Sequence, residues 1–520
     1  MKMSDVLLRL TRGRALACVL AGGLLAAGCG NASKSAGTVA DTASPAAGAP
    51  GGTLKVAVNV SLSDLDPLTN AGDPYRNSVR LAMFDTLTRY DGNKLVPSLA
   101  TWKAANGGKT YDFTLRPGVK FQDGKALTAQ DVKYTFGRVA DKKVGVYFAD
   151  LLGDVKSVTV TGPETFTVAL SAPSAGFLDA LINMSIVEAG SGNRNRTHPV
   201  GTGPFSFVQL VPNEKLVLKK NPNFWRSGLP RLDGLEFDPV KESQVGLQDL
   251  RAASVDVVTD LPATLWKTAQ SDTSLTAVQR PSTTMTYADF FSKNMPSKDP
   301  RLRQAMMMCF DSGAALKIAF GGIGTTSQNI VPPASPFYSD VVQPYKFDPT
   351  AAKALLAAAG FPNGFKITID GLQGFDSVNK ALTIWQDGLK KCGIDAKVRI
   401  QEFNAWLDAF FKHKLQVSMD VDSQGLDPNR FYNISFVGPH AGGGDAVSPR
   451  LLALGKAANR ALDPAKRKAL YAQYATIAHV DLHAAPLIRT PTLYATTTNV
   501  GGVNADPLGF YDFSGATVRK

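Results

Sequence analysis

A mixed α/β chain of more than one domain is what this sequence predicts, and three observations carry that expectation. The chain has 520 residues, too many for one compact core, so two or three domains are expected. The stretch Tyr111 to Phe136 reads as strand, turn, strand, turn and capped helix. From Phe365 to Gln401 the order is strand, amphipathic helix, strand, the spacing of parallel βαβ wiring.

Each element follows from its residues. Gly52 to Asn59 has strand composition, Ser63 to Pro67 reads as a loop, and Tyr75 to Thr88 as a helix with Val79, Met83 and Leu87 on one stripe. Tyr111, Phe113 and Leu115 alternate with polar residues until Arg116-Pro117-Gly118 breaks the strand. Val119 and Phe121 restart the alternation up to the Asp123-Gly124 turn. Thr128, three residues before Asp131, then opens a helix carrying Val132, Phe136 and Val139. Asp123 and Asp131 are accordingly read as turn and cap residues, not as an acid/base pair. Two short strands, Ser157–Thr161 and Thr165–Leu170, meet at Gly162-Pro163. Met285 to Phe291 is a strand, and Asp299 begins a helix running through Phe320. Ala351 to Ala359 is a helix closed by Gly360, Phe365–Asp370 and Ala396–Gln401 are strands, and Val378–Cys392 is the helix between them.

The N-terminus points outside the cytoplasm. Lys2, Arg9, Arg12 and Arg14 precede an apolar run, Ala15 to Ala27, that is too short to span a membrane stably. It ends in small residues at Cys29, which looks like a lipobox, with Ala26 where leucine is more usual. Residues 1–28 are therefore expected to be a lipoprotein signal peptide and Cys29 the lipidated residue, a membrane anchor once more than one acyl chain is attached. Cleavage there removes four positive charges and one negative, taking the formal net charge from +12 to +9. Residues 29–51, rich in Ala, Gly, Ser and Thr, form a tether. The positive charge is spread in runs of two or three without interleaved aromatics, which argues against nucleic acid as a partner.

Three strings carry a family resemblance: Tyr111 to Phe136, Pro199-Val-Gly-Thr-Gly-Pro204, and Asn221-Pro-Asn-Phe-Trp225. Further matches at Ala354 to Phe361, Leu389 to Ile394 and Ala457 to Pro486 extend it over nearly all of residues 52–515. The chain resembles the family 5 extracellular solute-binding proteins, the oligopeptide, dipeptide and nickel receptors of ABC importers. The resemblance implies a two-lobed, periplasmic-binding-protein-like fold of type II, with a discontinuous first lobe, an inserted third domain and a two-strand hinge. It places the first lobe at 52–83, 203–284 and 485–520, the inserted domain at 84–202 and the second lobe at 285–484. It implies a lipid-anchored monomer on the extracytoplasmic face of the cell membrane, with no cofactor and no bond chemistry. Its lobes close over a small molecule or short peptide that passes to an ABC permease and its ATPase.

The same resemblance nominates cleft residues. Phe403 falls where an aromatic lines the family pocket, with Trp406 in the same stretch; Tyr147 matches another pocket aromatic. Met285 and Tyr287 lie on the strand entering the second lobe. In Met419 to Pro428 the peptide receptors carry an aspartate four residues before the proline, paired with the peptide ammonium; here Gln424 stands there. As aligned, that disfavours a free amino terminus and suits a neutral or anionic polar solute. Asp422 takes over the role if the loop shifts by two residues, and Asp427 is either a ligand contact or a turn residue. Cys309 and Cys392 are either a disulfide or two buried apolar thiols. His479 and His483 have the i, i+4 spacing of a helical metal pair, but the zinc-protease string is absent.

Overall fold

The computed structural model describes residues 48–519, apart from 61, 70–73, 147, 241, 424 and 434–446, with the side chains of residues 74, 75, 403, 404 and 411 also excluded. Two large mixed sheets organise the fold. The first has seven strands in the order Leu275–Arg280, Thr492–Thr497, Val257–Val258, Thr53–Val58, Gly234–Pro239, Lys215–Lys220 and Phe205–Val211. Thr53–Val58 runs parallel to both its neighbours and buries Leu54, Val56 and Val58. The second has six strands, Thr325–Thr326, Ala484–Arg489, Thr284–Phe290, Val417–Ser423, Lys366–Leu372 and Asp395–Gln401. Lys366–Leu372 pairs parallel with Asp395–Gln401, and the helix Asp376–Lys391 connects them, as the pattern of apolar residues predicts.

Among the described residues the backbone passes between the two sheets twice, from Arg280 to Thr284 and from Arg489 to Thr492. At the first crossing Thr283 donates through its backbone N–H and its hydroxyl to the Pro507 carbonyl, at 2.7 and 3.0 Å. A third, four-stranded antiparallel sheet comes from Ala100–Ala105, Thr110–Leu115, Thr165–Leu170 and Val155–Val160. The helix Ala129–Ala140 follows the predicted box: Thr128 N–H donates to Asp131 at 2.8 Å, and Asp123 accepts from Lys125 N–H at 3.1 Å. Both carboxylates are thus turn and cap groups.

Four local expectations change. The strand expected at Val119–Phe121 reduces to a single bridge, Lys120 to Ala126, because the Asp123-Gly124 turn closes at once. The first helix, Pro74–Met83, stops short of Thr88, since Thr86 bridges Ser185 instead. The helix expected from Asp299 through Phe320 is two, Pro300–Met308 and Ser312–Ala319, because the Asp311 side chain caps a new helix by accepting from Ala314 N–H at 2.8 Å. His479 and His483 do not share a helical face: Pro464–Asp481 ends at Leu482, whose φ of 48° turns the chain off the axis. His479 instead stacks on Tyr345, 4.5 Å between centroids.

A disulfide joins Cys309 and Cys392, the first residues beyond the helices Pro300–Met308 and Asp376–Lys391. Gly388 permits that approach, because a Cβ there would lie 1.9 Å from the Cys309 carbonyl oxygen. Elsewhere the unit carrying the four-stranded sheet meets the helices Pro449–Arg460 and Pro464–Asp481. Arg460 donates to both Asp154 oxygens, one at 2.8 Å, and to the Pro173 carbonyl at 2.6 Å. Ala175 N–H donates to the Asn459 carbonyl at 2.8 Å.

Candidate functional site

A cavity of about 1100 Å³ lies where the three sheets' units face one another. Its wall on the second sheet is built by two paired strands, Thr284–Phe290 and Val417–Ser423. Antiparallel register sets Tyr287 opposite Asp420 and Met285 opposite Asp422, so these four side chains share one face. Thr284 and Thr286 take the other face, and the Thr284 and Ser423 hydroxyls meet at 2.8 Å. The helix Phe403–Phe411 adds Trp406 and Phe410, whose rings lie 5.0 Å apart. Trp406 is fixed by its indole N–H, which donates to Ser418 Oγ at 2.8 Å. The opposite walls come from the helix Ala129–Ala140, the segment Asp260–Ala263 and the second crossing at Thr490 to Leu493.

Two carboxylates of the second-sheet wall, Asp420 and Asp422, are half-buried at the cavity surface. Asp420 accepts from Val421 N–H at 2.6 Å and from the Tyr287 hydroxyl at 3.4 Å. Burial pushes its carboxyl up to about 7, opposed by the Val421 hydrogen bond. Asp422 accepts from Ser423 N–H at 2.7 Å and lies 4.0 Å from Arg430 Nη2. Burial raises it too, and the Arg430 guanidinium opposes the rise. Behind them sits Asp289, 3% exposed, raised well above the carboxylate range by burial and by its two acidic neighbours.

Of the residues nominated from the sequence, Tyr287, Trp406 and Asp422 line the cavity. Met285 does not; it is fully buried in a cluster with Phe431 and Tyr471. Asp427 is also away from the cavity lining, held by Arg467 at 2.7 and 2.8 Å and accepting from Asn429 N–H at 2.9 Å. Tyr147, Gln424 and Cys29 lie outside the described residues, as does the Phe403 side chain. Sequence reasoning passed over Asp420, Phe410 and the two threonines. The i, i+2 spacing of Asp420 and Asp422 on a strand was the available signal, since it puts both on one face.

A family model described as bacterial extracellular solute-binding proteins, family 5, middle part, matches residues 94–443. The chain belongs to this family. Among similar proteins is the glutathione-binding protein GsiB of Salmonella typhi, 28% identical over 352 residues, which are 66% of this chain and 68% of the relative. Solved structures agree in fold. DppA from Helicobacter pylori, in complex with the peptide STSA, superposes with a TM-score of 0.82 at 24% identity, covering 91% of this chain and 99% of that one. AgaA from A. tumefaciens R10, in complex with agropinic acid, gives 0.83 at 23% identity over 90% and 99%. This family 5 chain thus has the two-lobed fold with an inserted domain, and its relatives are substrate-binding proteins of ABC importers rather than enzymes. Among the described residues no helix is long and apolar enough to cross a membrane.

Proposed function

We propose that this chain is the lipid-anchored receptor of an ABC importer, which encloses a small polar solute between its two lobes and hands it unaltered to a permease. The cavity of about 1100 Å³ carries the reading, because the two large sheets that wall it are linked, among the described residues, by two backbone crossings. Such a linkage lets the lobes swing with few dihedral changes, and a ligand touching both favours the closed form. Tyr287, Trp406 and Asp422 contact the solute in this reading, the receptor works as a monomer, and Cys29 carries the acyl chains. Asp422 lining the cavity favours the peptide-receptor branch over the neutral-solute branch.

The test combines thermal shift with solution scattering on the mature chain across peptides, sugars, organic acids and amines. A binder is expected to raise the melting temperature by mass action and to reduce the radius of gyration. Superimposable scattering curves with every probe, together with turnover of one of them, would sink the proposal. In cells, Cys29→Ala is expected to move the protein from the membrane fraction to the soluble one.

A further inference from the structure

We propose that Arg430 is a positioning residue that couples occupancy of the cavity, through Asn183, to the seam where the unit of the four-stranded sheet meets the second lobe. The inference rests on the receptor reading above and goes beyond it by naming the side chain that carries the signal. Arg430 stands on the short helix Asn429–Tyr432, just past the cavity strand Val417–Ser423, and is 6% exposed. Its fork divides three ways. Nε donates to the Ser423 carbonyl at 3.1 Å, at the end of that strand. Nη2 faces the Asp422 carboxylate, which lines the cavity, at 4.0 Å. Nη1 donates to Asn183 Oδ1 at 3.1 Å, across the seam. Neither Arg430 nor Asn183 lines the cavity.

Asn183 is anchored on the far side of the seam. It ends the segment 177–183, whose Phe177 ring packs on Tyr111 of the four-stranded sheet, 4.9 Å between centroids. Arg80 of the helix Pro74–Met83 grips the same stretch, donating to Ser185 Oγ at 2.6 Å and to the Ile182 carbonyl at 3.4 Å. A fixed segment on one side and a cavity strand on the other leave Arg430 as the bridge between them. The planar guanidinium turns as one body, so a displacement of the strand end is passed to the bond with Asn183. The bridge also lies beside the pivot, where Gly425 N–H donates to the Thr283 hydroxyl of the first crossing at 3.1 Å. Charge sets the direction. A solute that donates to Asp422 draws on the negative charge that partly neutralises Arg430, and a less neutralised guanidinium binds an amide oxygen more strongly. Parting the lobes strips Nη1 of its acceptor, and a buried donor left unpaired is costly. Occupancy therefore tightens the seam, and by reciprocity the seam tightens the hold on the solute.

The experiment measures binding of trialanine, maltotriose and glutarate by calorimetry and lobe closure by solution scattering, for the mature chain, Asn183→Ala, Arg430→Lys and the double variant. Asn183→Ala is expected to weaken the probe that binds by about fivefold or more and to enlarge the unliganded radius of gyration. Asn183→Ser replaces it, with the same expectation, if the alanine variant does not fold. Arg430→Lys keeps the charge but loses the fork, so it is expected to weaken the same probe to a similar extent. The double variant is expected to lose little beyond either single one, because both break the same bridge. Melting temperatures are followed in parallel. A drop there with affinity and scattering unchanged, or additive losses of affinity in the double variant, would make Arg430 a packing residue and overturn the coupling while the receptor reading stands. If no probe binds or closes the parent chain, the receptor reading falls and takes the coupling with it.

Discussion

At Asp420 a single side chain couples solvent pH to capture. Its carboxyl, pushed up to about 7 by burial, faces Tyr287, Asp289 and Asp422, with the Arg430 guanidinium beyond Asp422. The sign follows from which form binds. A cationic ligand needs the ionised carboxylate, and the unliganded site holds its proton below about 7. Lowering the medium from about pH 8 to about pH 6 is therefore expected to weaken binding of an amine probe by several-fold. Asp420→Asn should flatten that dependence. Calorimetric titration at four pH values checks both, and a profile unchanged in the variant would remove Asp420 from the account. At this scale the sequence was legible where a residue serves its own backbone neighbours. Asp131 was read as a cap because its partner, Thr128, is three positions away. Met285, a cleft candidate, lies in the core although it shares a strand face with cavity-lining Tyr287, because Phe431 and Tyr471 cluster with it, a long-range arrangement that strand alternation does not encode.

Elements were legible in proportion to how local their causes are. The helix Asp376–Lys391 and the strands on either side of it follow from apolar spacing alone. The break between Pro300–Met308 and Ser312–Ala319 was missed because apolar residues continue through it, and only the Asp311 cap decides it. The Cys309–Cys392 bond was an open alternative, since its two cysteines are 83 residues apart and no local pattern brings them together. For a loop of 83 residues, chain entropy assigns such a crosslink about 4.5 kcal/mol. Replacing both cysteines with serine is expected to lower stability in urea by up to that amount. Affinity for a bound probe should stay within about twofold, because neither cysteine lines the cavity. A large loss of affinity with intact folding would show that the bond shapes the cleft.

The whole molecule was the hardest to read from the chain. Thr492–Thr497 inserts between Leu275–Arg280 and Val257–Val258, a pairing across more than 200 positions that no spacing announces. What the family resemblance supplied, and pattern could not, was that such returns are to be expected. The same scale holds the contact in which Arg460 grips Asp154 and the Pro173 carbonyl. Because it joins the unit of the four-stranded sheet to the second lobe, it is made only while those two are together. Arg460→Ala is expected to weaken a bound probe by about fivefold, near 1 kcal/mol for a half-exposed pair, and to shift the unliganded scattering curve toward a larger radius. No change in either quantity would mean the contact does not bias closure. The disulfide, by contrast, begins and ends among helices of one lobe, so oxidation tightens a single jaw and leaves the pivot untouched. Redox conditions outside the cytoplasm then govern how long the receptor endures, while the timing of its grip is left to the cargo.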